Sequence, residues 1–345
     1  MPLRPNVIER QLIKWGLIPG LLLDGAIPTF LVSAILGAGE IELFKTLRQE
    51  PVALEQLARK TGCNERALEN LLNVLEPLGY VSKKNDTYSL TKYAKKSIPI
   101  DLFSGMVPFI KEQNLLNLQH VNRALKEAPE EGVIGWDSVK DGEIGRSYQV
   151  TMRWLARSTV EEVTKKIKLP KGSQKMLDIG GSHGLYCVEM CRKYPELKAT
   201  VLDWPIGIEN AKETLQQETD VADQIDTLEA DFFEDEFPEG YDYAFLGNII
   251  HGNRPEQNQA LFNRLGEKLT DKGTIGILDQ FDNVSGSQFT RATASLIGWN
   301  LFLFSNGRAY EVNEVKGWLK RAGFPNSMVK PLRKSPGFTL LVATK

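Results

Sequence analysis

The stretch MLDIGGSHG, residues 176–184, runs on into LYCVEMCRKYPELKATVLD, residues 185–203, and its reading decides the fold. An apolar run reaches Asp178, turns through Gly180, Gly181 and Gly184, and passes into a segment of helical period. A second strand, Lys198 to Leu202, then ends in Asp203. Strand, glycine turn, helix and strand form the ligand-binding unit of an α/β nucleotide fold. Glycines at such a turn let backbone approach a ligand with no Cβ between them. An acid closing the next strand is placed to accept from two ribose hydroxyls.

The spacing narrows the ligand. A dinucleotide fingerprint reads G-x-G-x-x-G, and Gly180, Gly181, Ser182, His183 and Gly184 lack the third glycine at that spacing. A phosphate loop ends in Lys and Ser or Thr, but Leu185 and Tyr186 stand there. Both NAD and nucleoside triphosphates are therefore disfavoured. An adenosyl ligand with no phosphates remains, and S-adenosylmethionine fits that description.

At 345 residues the chain has room for two domains, and 42% hydrophobic with 25% charged residues is ordinary for a globular protein. A net charge of −2 gives no field for nucleic acid or an anionic membrane, so the expected partner is a small molecule. Cys63, Cys187 and Cys191 make no disulfide framework, and the last two read as buried thiols rather than metal ligands. No metal site is expected, and a reducing cytoplasm is.

From Trp15 to Gly39 Asp24 is the only charge, yet Pro19, Pro28 and the glycines break any membrane span. Two short helices, apolar all round, are expected to meet a second subunit. Residues 52–75 read as helix, turn, helix, and 80–90 as a hairpin around Lys83 to Asp86, together a winged helix. Its second helix opens on Asn64, Glu65, Arg66 and Glu69, too acidic for a phosphate backbone, so dimerisation is expected rather than DNA contact. Helices are expected over 102–125 and 148–167, joined by a glycine-rich loop containing Trp136. Phe103, Met106, Phe109, Tyr148 and Met152 are candidates for one wall of an apolar pocket. Beyond a linker at 168–173, strands at 225–230, 241–246 and 274–278 alternate with helices at 206–217 and 255–269. The expected fold is α/β: a doubly wound Rossmann-like sheet closed by an antiparallel hairpin at 327–330 and 337–343, preceded by a mainly helical winged-helix domain. The expected domains are 1–100 for dimerisation, 101–170 for linking helices, and 171–345 for catalysis.

The ordered set LDIGGSHG, VLDWP, ADFFEDEFPEGYD, LGNIIH, ILDQ and PGFTLLVATK resembles the class I S-adenosylmethionine-dependent O-methyltransferases of the plant caffeate type and their bacterial relatives. The resemblance implies a homodimer that methylates a hydroxyl of an aromatic or polycyclic small molecule. Carried over by position, it puts the cofactor on Gly180, Asp203, Trp204, Asp231 and Phe232, with Asn248 near the methionine end. His183 is a candidate for the cofactor carboxylate. The resemblance makes His251 the general base and Asp279 its acidic partner. An imidazole with an ordinary pKa of about 6.5 suits removal of a phenolic proton.

The chain also departs from that pattern. His-Asp-Trp is usual, whereas this sequence reads His251-Gly252-Asn253, and the second orienting acid falls at Ala309. Arg308 and Tyr310 are expected to touch the acceptor, with Met152, Trp299 and Phe302 walling it. Three alternatives stay open: C-methylation of an electron-rich ring, a cofactor-binding protein of this fold that transfers no methyl, and a DNA-binding regulator using the winged helix.

Overall fold

The computed structural model describes residues 6–17, 22–236, 238–282, 288–335 and 337–345, so Pro19 and the Phe237 and Pro336 of two quoted motifs lie outside the described residues. Two compact units make up the chain, Met1–Lys111 and Glu112–Lys345. The boundary falls within one long helix.

The first unit opens with α1 (Val7–Lys14), whose N-terminus is satisfied by the Asn6 side chain accepting from the Glu9 N–H at 2.9 Å. A π-helical turn (Leu22–Ala26) leads into α2 (Ile27–Glu40) and the short α3 (Leu43–Thr46). There follow β1 (Val52–Ala53), α4 (Leu54–Thr61), α5 (Glu65–Leu75), β2 (Val81–Lys84), β3 (Thr87–Leu90) and α6 (Lys92–Ser97). Asn64 caps α5 by accepting from the Ala67 N–H. Hairpin β2–β3 pairs Val81 with Leu90, and β1 adds to the other edge of β3. Leu57, Leu68, Leu72, Leu75 and Tyr88 close a small core between these helices and the sheet.

Much of the apolar surface at the start of this unit lies open within it. Within its unit α2 buries only Leu36, Ala38 and Gly39, while Phe30 is 67% exposed and Val7, Ile8, Trp15 and Leu17 are exposed too. No helix among the described residues is long and apolar enough to cross a membrane. Helix α7 (Ile100–Glu127) is longer than its pattern implied, running through Pro108.

In the second unit α8 (Gly142–Lys166) precedes alternating elements: β4 (Lys175–Ile179), α9 (Leu185–Lys193), β5 (Lys198–Asp203), α10 (Pro205–Gln217), β6 (Ile225–Glu229), β7 (Tyr241–Gly247), α11 (Pro255–Lys268) and β8 (Leu269–Asp279). Helices α12 (Gln288–Ser305) and α13 (Val312–Arg321) then lead to β9 (Asn326–Pro331) and β10 (Thr339–Thr344). The seven strands lie in the order β6-β5-β4-β7-β8-β10-β9, the first five parallel and the last two antiparallel.

Both faces of this sheet are covered, which is why its strands read as near-continuous apolar runs. Tyr243 and Phe245 of β7 point into a core with α8, α9 and α10, while Ala244 and Leu246 point into another with α11 and α13. Strand β8 starts at Leu269, earlier than expected, because Leu269 pairs with Tyr241 before the register breaks and resumes at Thr274 and Tyr243. The chain order reverses on either side of β4, and the glycine turn leaves its C-terminal end there. In open α/β sheets ligands bind at that crevice.

Candidate active site

A cavity of about 430 Å³ opens at the C-terminal ends of β4, β5 and β7, within the usual range of small-molecule sites. Gly180, Asp203, Trp204, Asp231, Phe232 and Asn248 all line it, as do Met152 and His183. Gly180 has φ +62°, and a Cβ there would stand 2.4 Å from Ile249 Cδ1. Glycine adopts this left-handed backbone without strain and leaves room for the Ile249 side chain.

Asp203 holds the turn from below. One carboxylate oxygen accepts from the Ser182 N–H and the other from the Trp204 N–H, both at 2.7 Å. Each oxygen keeps a lone pair that can accept a further hydrogen bond. Desolvation pushes this carboxyl up to about 6, although the two backbone bonds pull the other way. Trp204 presents its indole N–H to Asp231 at 3.1 Å, and the Lys140 ammonium sits 4.7 Å from its ring centroid. The other Asp231 oxygen accepts from the Phe233 N–H, fixing the loop that carries Phe232.

Sequence reasoning missed the second support of the turn. Ser182 is not glycine, yet its φ is +40°, a conformation that costs an ordinary residue about 1–3 kcal/mol. Its hydroxyl donates to Gln149 Oε1 of α8 and accepts from Asn210 Nδ2 of α10 at 3.0 Å. All three side chains are buried, so the network pins the glycine turn to two helices. Polar residues inside apolar helix faces were the only signal; their partners lie 33 and 28 residues away.

His183 is buried and neutral. Burial, then the charges of Arg153 and Arg157, push it down to about 3. Its Nδ1 accepts from the Leu185 N–H at 3.1 Å, so Nε2 carries the proton and is a donor.

His251 lies on a 3-10 turn, Ile250–Gly252, just after β7. Ring Nδ1 is 2.5 Å from Asp279 Oδ1 at the end of β8, and the His251 N–H donates to Oδ2 of the same carboxylate at 3.3 Å. The Gln280 N–H also donates to Oδ1. Asp279 is 1% exposed, so one carboxylate fixes ring and backbone together, although Ala309 supplies no second acid. His251 is not itself in the cavity lining, but its neighbours Ile249 and Gly252 are. Asn258 holds the turn from α11 by donating to the Ile250 carbonyl at 2.8 Å.

Four of the expected acceptor residues are placed elsewhere. Tyr310 is a core residue: it is 1% exposed, packs edge-on against Trp318, and donates its hydroxyl to the Asn253 carbonyl at 2.5 Å. Arg308 pairs with Glu314 at 2.8 Å and lies over the Tyr310 ring. Trp299 and Phe302 stack on each other at 5.7 Å, outside the lining of the cavity. Of that group Met152 alone reaches it. Phe103, Met106 and Phe109 belong to the other compact unit.

Comparison with known proteins identifies the family. Residues 132–325 match the O-methyltransferase domain model. The chain is 28% identical over 94% of its length to 3-hydroxy-5-methyl-1-naphthoate 3-O-methyltransferase of Streptomyces sahachiroi, covering 94% of that protein. It is 26% identical over 89% of its length to the tetracenomycin polyketide synthesis 8-O-methyl transferase of Streptomyces glaucescens, covering 91% of it. Human N-acetylserotonin methyltransferase, solved in complex with S-adenosylmethionine, superposes with a TM-score of 0.79 at 20% identity, with 94% of this chain and 96% of that one covered. The chain belongs to the O-methyltransferase domain family and is an S-adenosylmethionine-dependent methyltransferase.

Proposed function

We propose that this enzyme transfers the methyl group of S-adenosylmethionine to a phenolic hydroxyl of a fused-ring aromatic molecule, with His251 as general base and Asp279 as its orienting acid. The observation that carries the reading is the His251–Asp279 contact at 2.5 Å beside the Asp203-anchored turn. One relative named above methylates a hydroxynaphthoate and the other serves tetracenomycin polyketide synthesis, and this supports the acceptor class.

When bound, the cofactor supplies a sulfonium-activated methyl group, and the protein's task is to hold the acceptor oxygen in line with it in a dry site. Asp203 would take the ribose hydroxyls, and Trp204, Asp231 and Phe232 would hold the adenine. The Nε2–H of His183 would meet the carboxylate of the methionine end, with Asn248 near it. A phenol with a pKa of about 10 is mostly protonated at neutral pH. Asp279, as the acceptor at Nδ1, would keep the proton of His251 there and leave Nε2 to accept the phenolic proton. Asp279 then stabilises the imidazolium, the role of the acid in a histidine-acid pair.

The first unit serves as a winged-helix dimerisation domain, and its exposed Val7, Ile8, Trp15, Leu17 and Phe30 fit a surface that a second copy covers. Three free cysteines suit a cytoplasmic setting. The test is transfer from methyl-labelled S-adenosylmethionine to 3-hydroxy-5-methyl-1-naphthoate and other hydroxylated polycyclic aromatics. Label on oxygen supports the reading; label on carbon, or none on any acceptor from protein that binds the cofactor, overturns it.

A further inference from the structure

Gly252 stands where the family resemblance leads one to expect an acid after the histidine, and the space that a side chain would fill is taken by an indole. A Cβ at Gly252 would lie 2.5 Å from Trp136 Cζ2 and 3.4 Å from Cη2. The same ring donates its Nε1–H to the Gly252 carbonyl at 3.4 Å, across 116 residues of chain. Its other edges meet three aromatics: Phe304 at 4.9 Å, Trp204 at 6.3 Å and Tyr148 at 6.4 Å, all edge-on.

The backbone under Trp136 is tied down as firmly. The Val133 N–H donates to the Leu303 carbonyl and the Gly135 N–H to the Phe304 carbonyl, fastening residues 132–135 to the end of α12. The indole thus bridges the cofactor wall at Trp204 and the turn that carries His251, and it lines the cavity between them.

From this placement we infer that Trp136 is a positioning residue: it sets the His251 turn against the cofactor site, in a space that only glycine at 252 leaves open. This deepens the proposed function and rests on it. A ring with one edge on Trp204 and one on Gly252 transmits a shift at either to the other, because close-packed aromatics do not deform continuously. The absence of a side chain after His251 is thereby accounted for, although the acid missing at Ala309 is a separate departure. The place of that side chain is occupied by a group that orients the turn through packing and one hydrogen bond.

The test is a double-mutant cycle on the full-length protein, with Gly252→Ala made in the wild-type and Trp136→Ala backgrounds and Trp136→Phe made alone. Affinity for S-adenosylhomocysteine is read by calorimetry, turnover with 3-hydroxy-5-methyl-1-naphthoate at saturating cofactor, and folding by thermal melting. Gly252→Ala should lower kcat about tenfold and weaken S-adenosylhomocysteine about threefold or more in the wild-type background, but change each by less than about twofold when residue 136 is Ala. Trp136→Phe, which keeps a ring and loses the donor, should lower kcat about fivefold with the acceptor KM little changed. Equal costs of Gly252→Ala in both backgrounds, or variants that lose only melting temperature with kcat per folded molecule intact, would overturn the inference. The affinity arm needs no acceptor, so the coupling is read even if the probe is not methylated. Failure of the wild type to bind S-adenosylhomocysteine would remove the proposed function and this inference together. Binding with no coupling would remove the inference alone.

Discussion

Replacing Asp203 by Asn separates the charge of this side chain from its shape. Both carboxylate oxygens accept a backbone N–H at 2.7 Å. An amide can accept only one of them and turns its NH₂ toward the other, leaving a donor facing a donor. Hydrogen bonds to a charged acceptor contribute about 1.5–3 kcal/mol each, so loss of one such bond to the ribose corresponds to roughly a 10- to 150-fold weaker complex. The pH dependence adds an independent check. The Asp203 carboxyl is pushed up to about 6. The form that accepts from ribose hydroxyls therefore prevails above pH 6 and is lost as the pH falls through that value. In the wild type, affinity for S-adenosylhomocysteine should fall roughly tenfold between pH 7.5 and 5.0, the ionised fraction dropping from about 0.97 to about 0.09. Asp203→Asn should bind weakly at both pH values with a flat profile. Calorimetric titration across that range is the assay. An Asn variant within twofold of wild type at pH 7.5, or one that keeps the acid loss of affinity, would refute the ribose assignment and its titration.

Other substitutions probe the remaining supports. His251→Ala should lower kcat by about 10² or more with S-adenosylhomocysteine affinity within a factor of two in the same titration. Gln149→Leu removes the buried acceptor of the Ser182 hydroxyl and should destabilise the protein by about 1–3 kcal/mol and weaken the cofactor, read by urea unfolding and calorimetry. Tyr310→Phe should cost about 0.5–1.5 kcal/mol of stability and leave the acceptor KM unchanged in steady-state kinetics, since the hydroxyl serves the Asn253 carbonyl. Leu177→Ala, in the fully buried centre of β4, should cost about 2–5 kcal/mol in chemical denaturation.

The parts legible in the sequence are those set by short-range pattern. The β4-turn-α9-β5 unit follows from apolar runs broken by glycines, and it brings Gly180 and Asp203 to one place because each closes a strand or opens a turn. The Asp279 placement against His251 was reached through resemblance, since nothing local links residues 28 apart. Burial is different in kind. Tyr310 and Trp299 both read as aromatics near a site, yet one is sealed in the core against Trp318 and the other stacks on Phe302 at the surface. Which of them faces a cavity depends on how α12 and α13 seat on the sheet, and helical period alone does not fix it. Trp136 shows the same limit: a tryptophan in a glycine-rich loop gives no hint of its partner at Gly252, because the complementarity is between a missing Cβ and a distant ring. The early start of β8 was hidden by the polar Thr270–Gly273 run, where the pairing with β7 breaks register.

One measurement bears most directly on methyl transfer driven by His251. Wild type and His251→Ala are each supplied with ¹³C-methyl S-adenosylmethionine and 3-hydroxy-5-methyl-1-naphthoate, alongside a panel of hydroxylated polycyclic aromatics, and the products are examined by carbon NMR. The expected result is label on an aryl ether oxygen in the wild type, and at least a hundredfold less in a variant that binds S-adenosylhomocysteine normally. Label on a ring carbon, or equal transfer by the variant, would contradict the account.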